Sequence, residues 1–285
     1  PATIQRHVNS GIGATTSWYG LVRLATDVVQ YSPMLVTVDY VVNDDALTEF
    51  LSIEEALVRR LINEIPGVRI LGMFFMQPTD LVTNNITNLK EPVRQQWLTL
   101  LTYYGIPFVE VGVEMQRAVN AGERTTADFF ADGAGHPSDI GHSTAANMAF
   151  GAIPNVLGAG PALLPARLYA DSADYEYAPT IIDAINSGGE TGAWAAAGAT
   201  GRQSNTNNST ITFTATCRSF GMDTNFSTNA GTVSWSVDGG AWTDRDLSAD
   251  GQTFHYWWFG TRASHTITIK VVGTALVRIN RFLAV

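Results

Sequence analysis

The stretch Ser32-Pro33-Met-Leu-Val36-Thr-Val-Asp-Tyr40-Val-Val-Asn43-Asp44 decides the fold. Its centre, Val36 to Val42, is a short run of branched and aromatic residues, the composition of a strand buried on both faces of a parallel sheet. It stops at Asn43-Asp44, a pair that favours turns and helix caps. Two further runs share its character, Val68-Arg-Ile-Leu-Gly-Met-Phe-Phe75 and Pro107-Phe-Val-Glu-Val111. Around them, residues 16–30, 52–64, 91–104 and 138–156 carry apolar side chains three and four apart, which predicts helices. Ser52 with Glu55 offers a capping box for the second of these. Strands alternating with helices read as an α/β domain over residues 1–157.

The texture changes after Leu157. Gly158-Ala-Gly-Pro161, Pro165, Gly188-Gly189 and the Gly-, Ser-, Thr- and Asn-rich residues 198–208 mark 158–208 as a linker or connector. From Ser209 to Val285 come short alternating segments: 210–216, 232–237, 254–259, 265–271 and 275–282. Asp238-Gly239-Gly240 supplies a tight turn, and the region reads as an antiparallel β-sandwich.

Composition excludes several classes. A chain of 285 residues with 45% hydrophobic content can build two cores. A net charge of −9, with Lys90 and Lys270 as the two lysines, would repel a phosphate backbone, so nucleic acid is not expected as a partner. No apolar run reaches the roughly 18 residues of a membrane span, and Pro1 stands where an initiator methionine would, reading as a boundary. The single cysteine, Cys217, excludes an intramolecular disulfide framework.

The chemistry concentrates in Asp132-Gly-Ala-Gly-His136-Pro137-Ser-Asp-Ile-Gly141-His142, just ahead of the last helix of the first domain. A histidine there is placed to act as general base, and a nearby aspartate can hold its tautomer and stabilise its charged form. That is half of a hydrolytic triad. Outside that setting, His136 before Pro137 would read as a solvated loop residue, Asn43 as a helix N-cap, and Gly11 and Gly13 as ordinary turn glycines.

Three segments in order resemble blocks of the SGNH hydrolases, the GDSL-type esterase and lipase family. Val8-Asn9-Ser-Gly11-Ile12-Gly13-Ala-Thr15-Thr16 resembles the second block, which implies Gly13 as a backbone oxyanion-hole donor. The strand ending in Asn43-Asp44 resembles the third block and implies Asn43 as the second donor. Asp132 to His136-Pro137 resembles the fifth block and implies His136 as base and Asp132 as its acid. The resemblance covers about residues 5–157. It implies a flavodoxin-like three-layer α/β/α domain with a parallel sheet, a serine esterase or deacetylase acting on O-acyl esters, and no metal or cofactor.

Two features depart from the family pattern. Asp132 lies four positions before His136 rather than three, with Asp139 as a weaker substitute. The first block, an apolar strand ending in Gly-Asp-Ser, is not found, so the nucleophile stays unknown. Three readings are open: a serine upstream of Pro1 or on a complementing N-terminal segment, a chain that has lost the serine and only binds, or Ser172 in Ala170-Asp171-Ser172. Without the first strand, its neighbours in the sheet should show unpaired edges.

In the second domain, His255-Tyr-Trp-Trp258-Phe259 packs four aromatics into five residues, with Trp235 and Trp242 near in sequence. Alternate strand residues face opposite ways, which marks Trp257 and Trp258 as possible sugar contacts, or as packing against another domain or subunit. An esterase-like domain beside such a sandwich points to an acylated polysaccharide or glycan as substrate. It also points to an extracellular, secreted or phage virion-associated setting. The alternative is a glycan-binding or assembly protein, including a homo-oligomer, that keeps the scaffold without the chemistry.

Overall fold

The computed structural model describes residues 7–13, 15–81, 90–132, 135–224, 231–247 and 254–285, with backbone alone over 254–259. The chain divides into two compact units, Pro1–Ser172 and Ala173–Val285.

The first unit opens with α1 (Ser17–Val22), α2 (Leu24–Asp27) and a 3-10 turn, Val29–Tyr31. The helix expected over residues 16–30 is thus broken into three pieces. Branched Val28 and Val29 weaken it, and Ser32 turns left-handed at φ 45° ahead of Pro33, which cannot continue a helix. β1 (Leu35–Val38) follows, then α3 (Thr48–Glu64), β2 (Arg69–Met73), α4 (Pro78–Leu81), α5 (Glu91–Tyr103), β3 (Phe108–Val109), α6 (Val111–Asn120), α7 (Thr126–Phe129) and α8 (Asp139–Gly158). The strands form a parallel sheet in the order β1-β2-β3, with Leu35 opposite Arg69 and Met73 opposite Val109. β1 and β3 are the edges of the described sheet. Helices cover the sheet through a core that includes Trp18, Phe50, Ile53, Ile70, Trp97 and Leu100.

The capping box read at Ser52 and Glu55 is overturned. α3 starts four residues earlier, at Thr48, so both residues lie inside the helix and are buried. Glu55 instead accepts hydrogen bonds from the Tyr104 hydroxyl at 2.6 Å and from the N–H groups of Leu168 and Tyr169 at 2.6 and 2.8 Å. Arg59 donates to the Tyr104 hydroxyl and to the Pro165 carbonyl, both at 2.9 Å. This paired, buried cluster ties the segment after α8 to α3 and α5.

The second unit is antiparallel. Its strands are β4 (Thr180–Asp183), β5 (Gly189–Thr191), β6 (Ala195–Ala197), β7 (Gly201–Ser204), β8 (Thr210–Asp223), β9 (Thr232–Val237), β10 (Thr243–Asp246), β11 (Phe254–Val272), β12 (Val277–Ile279) and β13 (Arg281–Ala284). One sheet runs β10-β9-β11-β8-β13-β4 with β5 on β8, and a second runs β12-β7-β6. Alternate residues of β8 and β11, such as Ile211, Phe213, Ile267 and Ile269, point into a core shared with Val277 and Ile279 of the smaller sheet. Residues between 158 and 208, read as connector, supply β4 to β7. Such short segments pair because the ladder uses backbone groups rather than side chains. The two segments read at 254–259 and 265–271 form one strand, β11, whose register against β8 shifts between Trp258 and Ala263.

Candidate active site

The loop between α7 and α8 is built by its two ends. Thr125 and Asp128 make a reciprocal capping box at the start of α7. Ser138 caps α8 through the Gly141 N–H at 3.2 Å, and its own N–H donates to the Phe129 carbonyl at 2.8 Å. Within that frame the Ala131 N–H donates to the His136 carbonyl at 3.1 Å, and Phe130 and Pro137 form a β-bridge. The neck of the loop is closed, so its described tip residues are held rather than splayed.

Asp132 and His136 meet at that tip. One carboxylate oxygen of Asp132 accepts the His136 backbone N–H at 3.4 Å, and the other is paired with the ring Nδ1. An imidazole whose Nδ1–H points at a carboxylate presents Nε2 as the basic nitrogen. The His136 side chain is 81% exposed and that of Asp132 41%, so the base faces outward. The four-residue spacing is accommodated because the loop folds back on itself. Gly135 adopts φ +107°, a conformation in which a side chain would be strained. Asp139, the weaker substitute acid, is the first residue of α8, where its charge suits the helix N-terminus.

A second arrangement lies at the end of β1. Gly13 sits in an exposed turn before α1, in a segment where the Thr15 hydroxyl donates to the Ile12 carbonyl at 2.7 Å. Asn43 is exposed in the turn after β1. Its N–H and that of Asp44 both donate to the Tyr40 carbonyl, at 3.0 and 2.8 Å. Asp44, in contrast, points inward and is fully buried. Its carboxylate accepts the Ser17 N–H at 2.7 Å and the Trp97 Nε1–H at 3.3 Å, while its carbonyl accepts from the Lys90 ammonium at 2.7 Å. The segments bearing Gly13 and Asn43 are therefore fastened to each other through Ser17 and Asp44.

Both arrangements leave the same edge of the sheet. Asn43 follows the carboxyl end of β1 and Pro78 that of β2, and a Cβ built on Gly135 would lie 3.7 Å from Pro78. The carboxyl ends of parallel strands are where open α/β sheets place their ligand sites.

Burial shifts acids near Asn43, Asp44 and Glu54 among them. It pushes the Asp44 carboxyl up to about 7, against the opposing hydrogen bonds from Ser17 and Trp97 and the charge of Lys90. Glu54 of α3 is also fully buried, with no hydrogen-bond partner at either carboxylate oxygen. Burial, then the neighbouring Asp44, hold it well above the usual carboxylate range. Asp44 stands in the motif that draws attention to Asn43, but the sequence reading gives it no role. Glu54 carries no signal at all, because Glu54-Glu55 reads as the polar side of a helix.

The other expected site residues are placed as follows. Ser172 lies in a 3-10 segment, Ala170–Tyr175, with its hydroxyl buried. The backbone of Trp257 and Trp258 pairs with Phe220 and Ser219, and their side chains lie outside the described residues. His265 of β11 pairs through Nδ1 with Asp238 at 2.7 Å, where the Asp238-Gly239 turn joins β9 to β10. A surface depression of about 420 Å³ against α6 and α8 is lined by Asp139, the substitute acid, but not by Asp132 or His136. Among the described residues, no three or more His, Cys, Asp or Glu gather where they could hold a metal ion, and no helix is long and apolar enough to cross a membrane.

The two units together define a parallel α/β layer followed by an antiparallel sandwich, a fold present in solved two-domain esterases. A two-domain esterase (CEX) active on acetylated mannans matches 97% of this chain at a TM-score of 0.81 and 18% identity, over 79% of its own length. Its structure co-crystallised with mannopentaose matches at 0.77 and 17%, over 97% of this chain and 78% of that one. At such identities the likeness is one of fold. No protein-family model matches the chain, and no curated protein sequence matches it.

Proposed function

We propose that this protein is a serine carbohydrate esterase that removes O-acyl groups, acetyl foremost, from a polysaccharide outside the cell. The observation that carries the reading is the outward-facing His136 paired with Asp132, set in a fold shared along 97% of the chain with an esterase active on acetylated mannans.

A serine hydroxyl is a weak nucleophile at neutral pH, so His136 Nε2 takes its proton as it attacks the ester carbonyl. The Asp132 carboxylate stabilises the imidazolium that results. His136 then returns the proton to the departing sugar hydroxyl, and water, activated the same way, cleaves the acyl-enzyme. The Gly13 N–H and the Asn43 side-chain amide are the donors that meet the negative charge on the carbonyl oxygen, each worth about 2.7–4 kcal/mol. The attacking serine is not assigned to a residue of this sequence. The buried hydroxyl of Ser172 does not suit a polymer-bound ester. Trp257 and Trp258 are proposed as sugar contacts of the second unit, on their place in an aromatic strand.

Acetate release from acetylated mannan, and hydrolysis of p-nitrophenyl acetate, test the reading. His136→Ala is expected to lower both by about 10²–10⁴-fold, the range supplied by general base catalysis. Full activity in that variant would remove His136 from the mechanism. Glycan binding with no hydrolysis by the native protein would make it a binding protein instead.

A further inference from the structure

We propose that Asp44 is a positioning residue that sets the two oxyanion donors against each other, by holding the Gly13 segment through the Ser17 N–H while its own backbone carries Asn43. The inference rests on the esterase reading for its catalytic consequence, though not for the structural link itself.

Asp44 is 0% exposed and is bonded on every side. Oδ1 takes the N–H of the first residue of α1, directly after the turn that holds Gly13. Oδ2 takes Trp97 of α5, and the backbone carbonyl takes Lys90. Its N–H shares the Tyr40 carbonyl with the Asn43 N–H. α1 has no side-chain cap from Thr16, its own N-cap residue. The free N–H of its first residue, Ser17, is instead taken up by Asp44, 27 residues away. A capping acceptor borrowed from another segment fixes a distance between segments, which local capping by Thr16 would not do. Two donors that must reach one oxygen atom need such a fixed distance, because a displacement of about 1 Å can cost 10²-fold in rate.

The charges around Asp44 bear on the same point. Asp39 and Tyr40 stand on its own segment, Glu54 faces it from α3, and Lys90 from the start of α5. Burial and the neighbouring Asp44 push Glu54 toward its neutral form, while Asp44 keeps its oxygens as acceptors for Ser17 and Trp97.

Hydrogen exchange and kinetics on the whole protein test this. In Asp44→Ala, the amides of residues 15–20 should lose protection by about 10-fold or more, the loss of a hydrogen bond to a charged group, while interior amides of α3 and β2 change by less than about 2-fold. In Asp44→Asn, whose amide oxygen can still accept the Ser17 N–H, that protection should return to within about 3-fold of the native value. With p-nitrophenyl acetate, Asp44→Ala should lower kcat by about 10²-fold with KM little changed, and Asp44→Asn should recover part of it. Unchanged protection of residues 15–20 in Asp44→Ala, or an equal loss across the unit, would overturn the link. A rise in KM with kcat intact would overturn its catalytic role. If the native protein hydrolyses no ester, the esterase reading fails while the exchange comparison still decides the role of Asp44.

Discussion

His136 is oriented at two points, its ring by the Asp132 carboxylate and its backbone by hydrogen bonds at N–H and carbonyl. Removing only the charge separates orientation from basicity. Asp132→Asn is expected to lower kcat by about 10²–10⁴-fold with KM nearly unchanged, because a neutral partner neither fixes the Nδ1–H tautomer nor stabilises the imidazolium. Steady-state kinetics check this, and a change confined to KM would contradict it. Gly141 matters at one remove. A Cβ there would lie 2.5 Å from the Phe129 carbonyl oxygen, a contact that α7 and α8 can relieve only by moving apart. Gly141→Ala should therefore reduce activity through a displaced loop, and a crystal structure of the variant would show His136 shifted. The Asp-His pair was legible in the sequence because both residues lie in one short segment. Spacing alone left Asp139 open; in the folded loop it is Asp132 that contacts the His136 ring, while Asp139 begins α8.

The elements that carry Gly13 and Asn43, the two proposed oxyanion donors, were legible as a helix start and a strand, yet the bond between them was not. Ser17 and Asp44 are 27 residues apart, and nothing local in either segment signals the other. The opposite failure occurred at α3. Ser52 and Glu55 satisfy a capping pattern, but the helix begins at Thr48 and long-range partners claim Glu55. Glu55→Ala is expected to leave the Tyr104 hydroxyl and the N–H groups of Leu168 and Tyr169 without their acceptor, at a cost of about 1–3 kcal/mol or more. A thermal midpoint within about 1 °C of the native value would contradict that role.

Glu54 makes the opposite prediction. A carboxyl whose folded pKa is raised is easier to ionise in the unfolded chain, so its contribution to stability is complete below the unfolded value and is lost as pH rises through the folded one. For Asp44 that window runs from the ordinary value of 3.8 to about 7, and Glu54 moves in the same direction. Glu54→Gln, neutral at every pH, should match the native protein near pH 4 and exceed it at pH 8 by about 2–4 °C in Tm. Equal midpoints at both pH values would contradict the buried acid pair.

At the scale of the molecule, each unit has its own buried cluster. That of the second includes Phe213, Phe220, Ile269 and Phe282 and lies wholly within residues 173–285. A fragment spanning 173–285 is accordingly expected to unfold cooperatively on its own, which calorimetry would show; a broad, non-cooperative transition would contradict this. The change of texture from helical periodicity to two-residue alternation made both folds legible, because each period follows from which faces are buried. The strands between 173 and 208 were hidden, since segments of three or four residues are too short to show alternation and pair through backbone groups.

The central claim is that His136 activates a serine, and a serine-reactive fluorophosphonate tests it most directly. Labelling of the native protein followed by peptide mass spectrometry should find one modified serine, identifying the nucleophile, and His136→Ala should remain unlabelled under the same conditions. Labelling of His136→Ala at the native rate, or a native protein in which no serine reacts, would contradict the account.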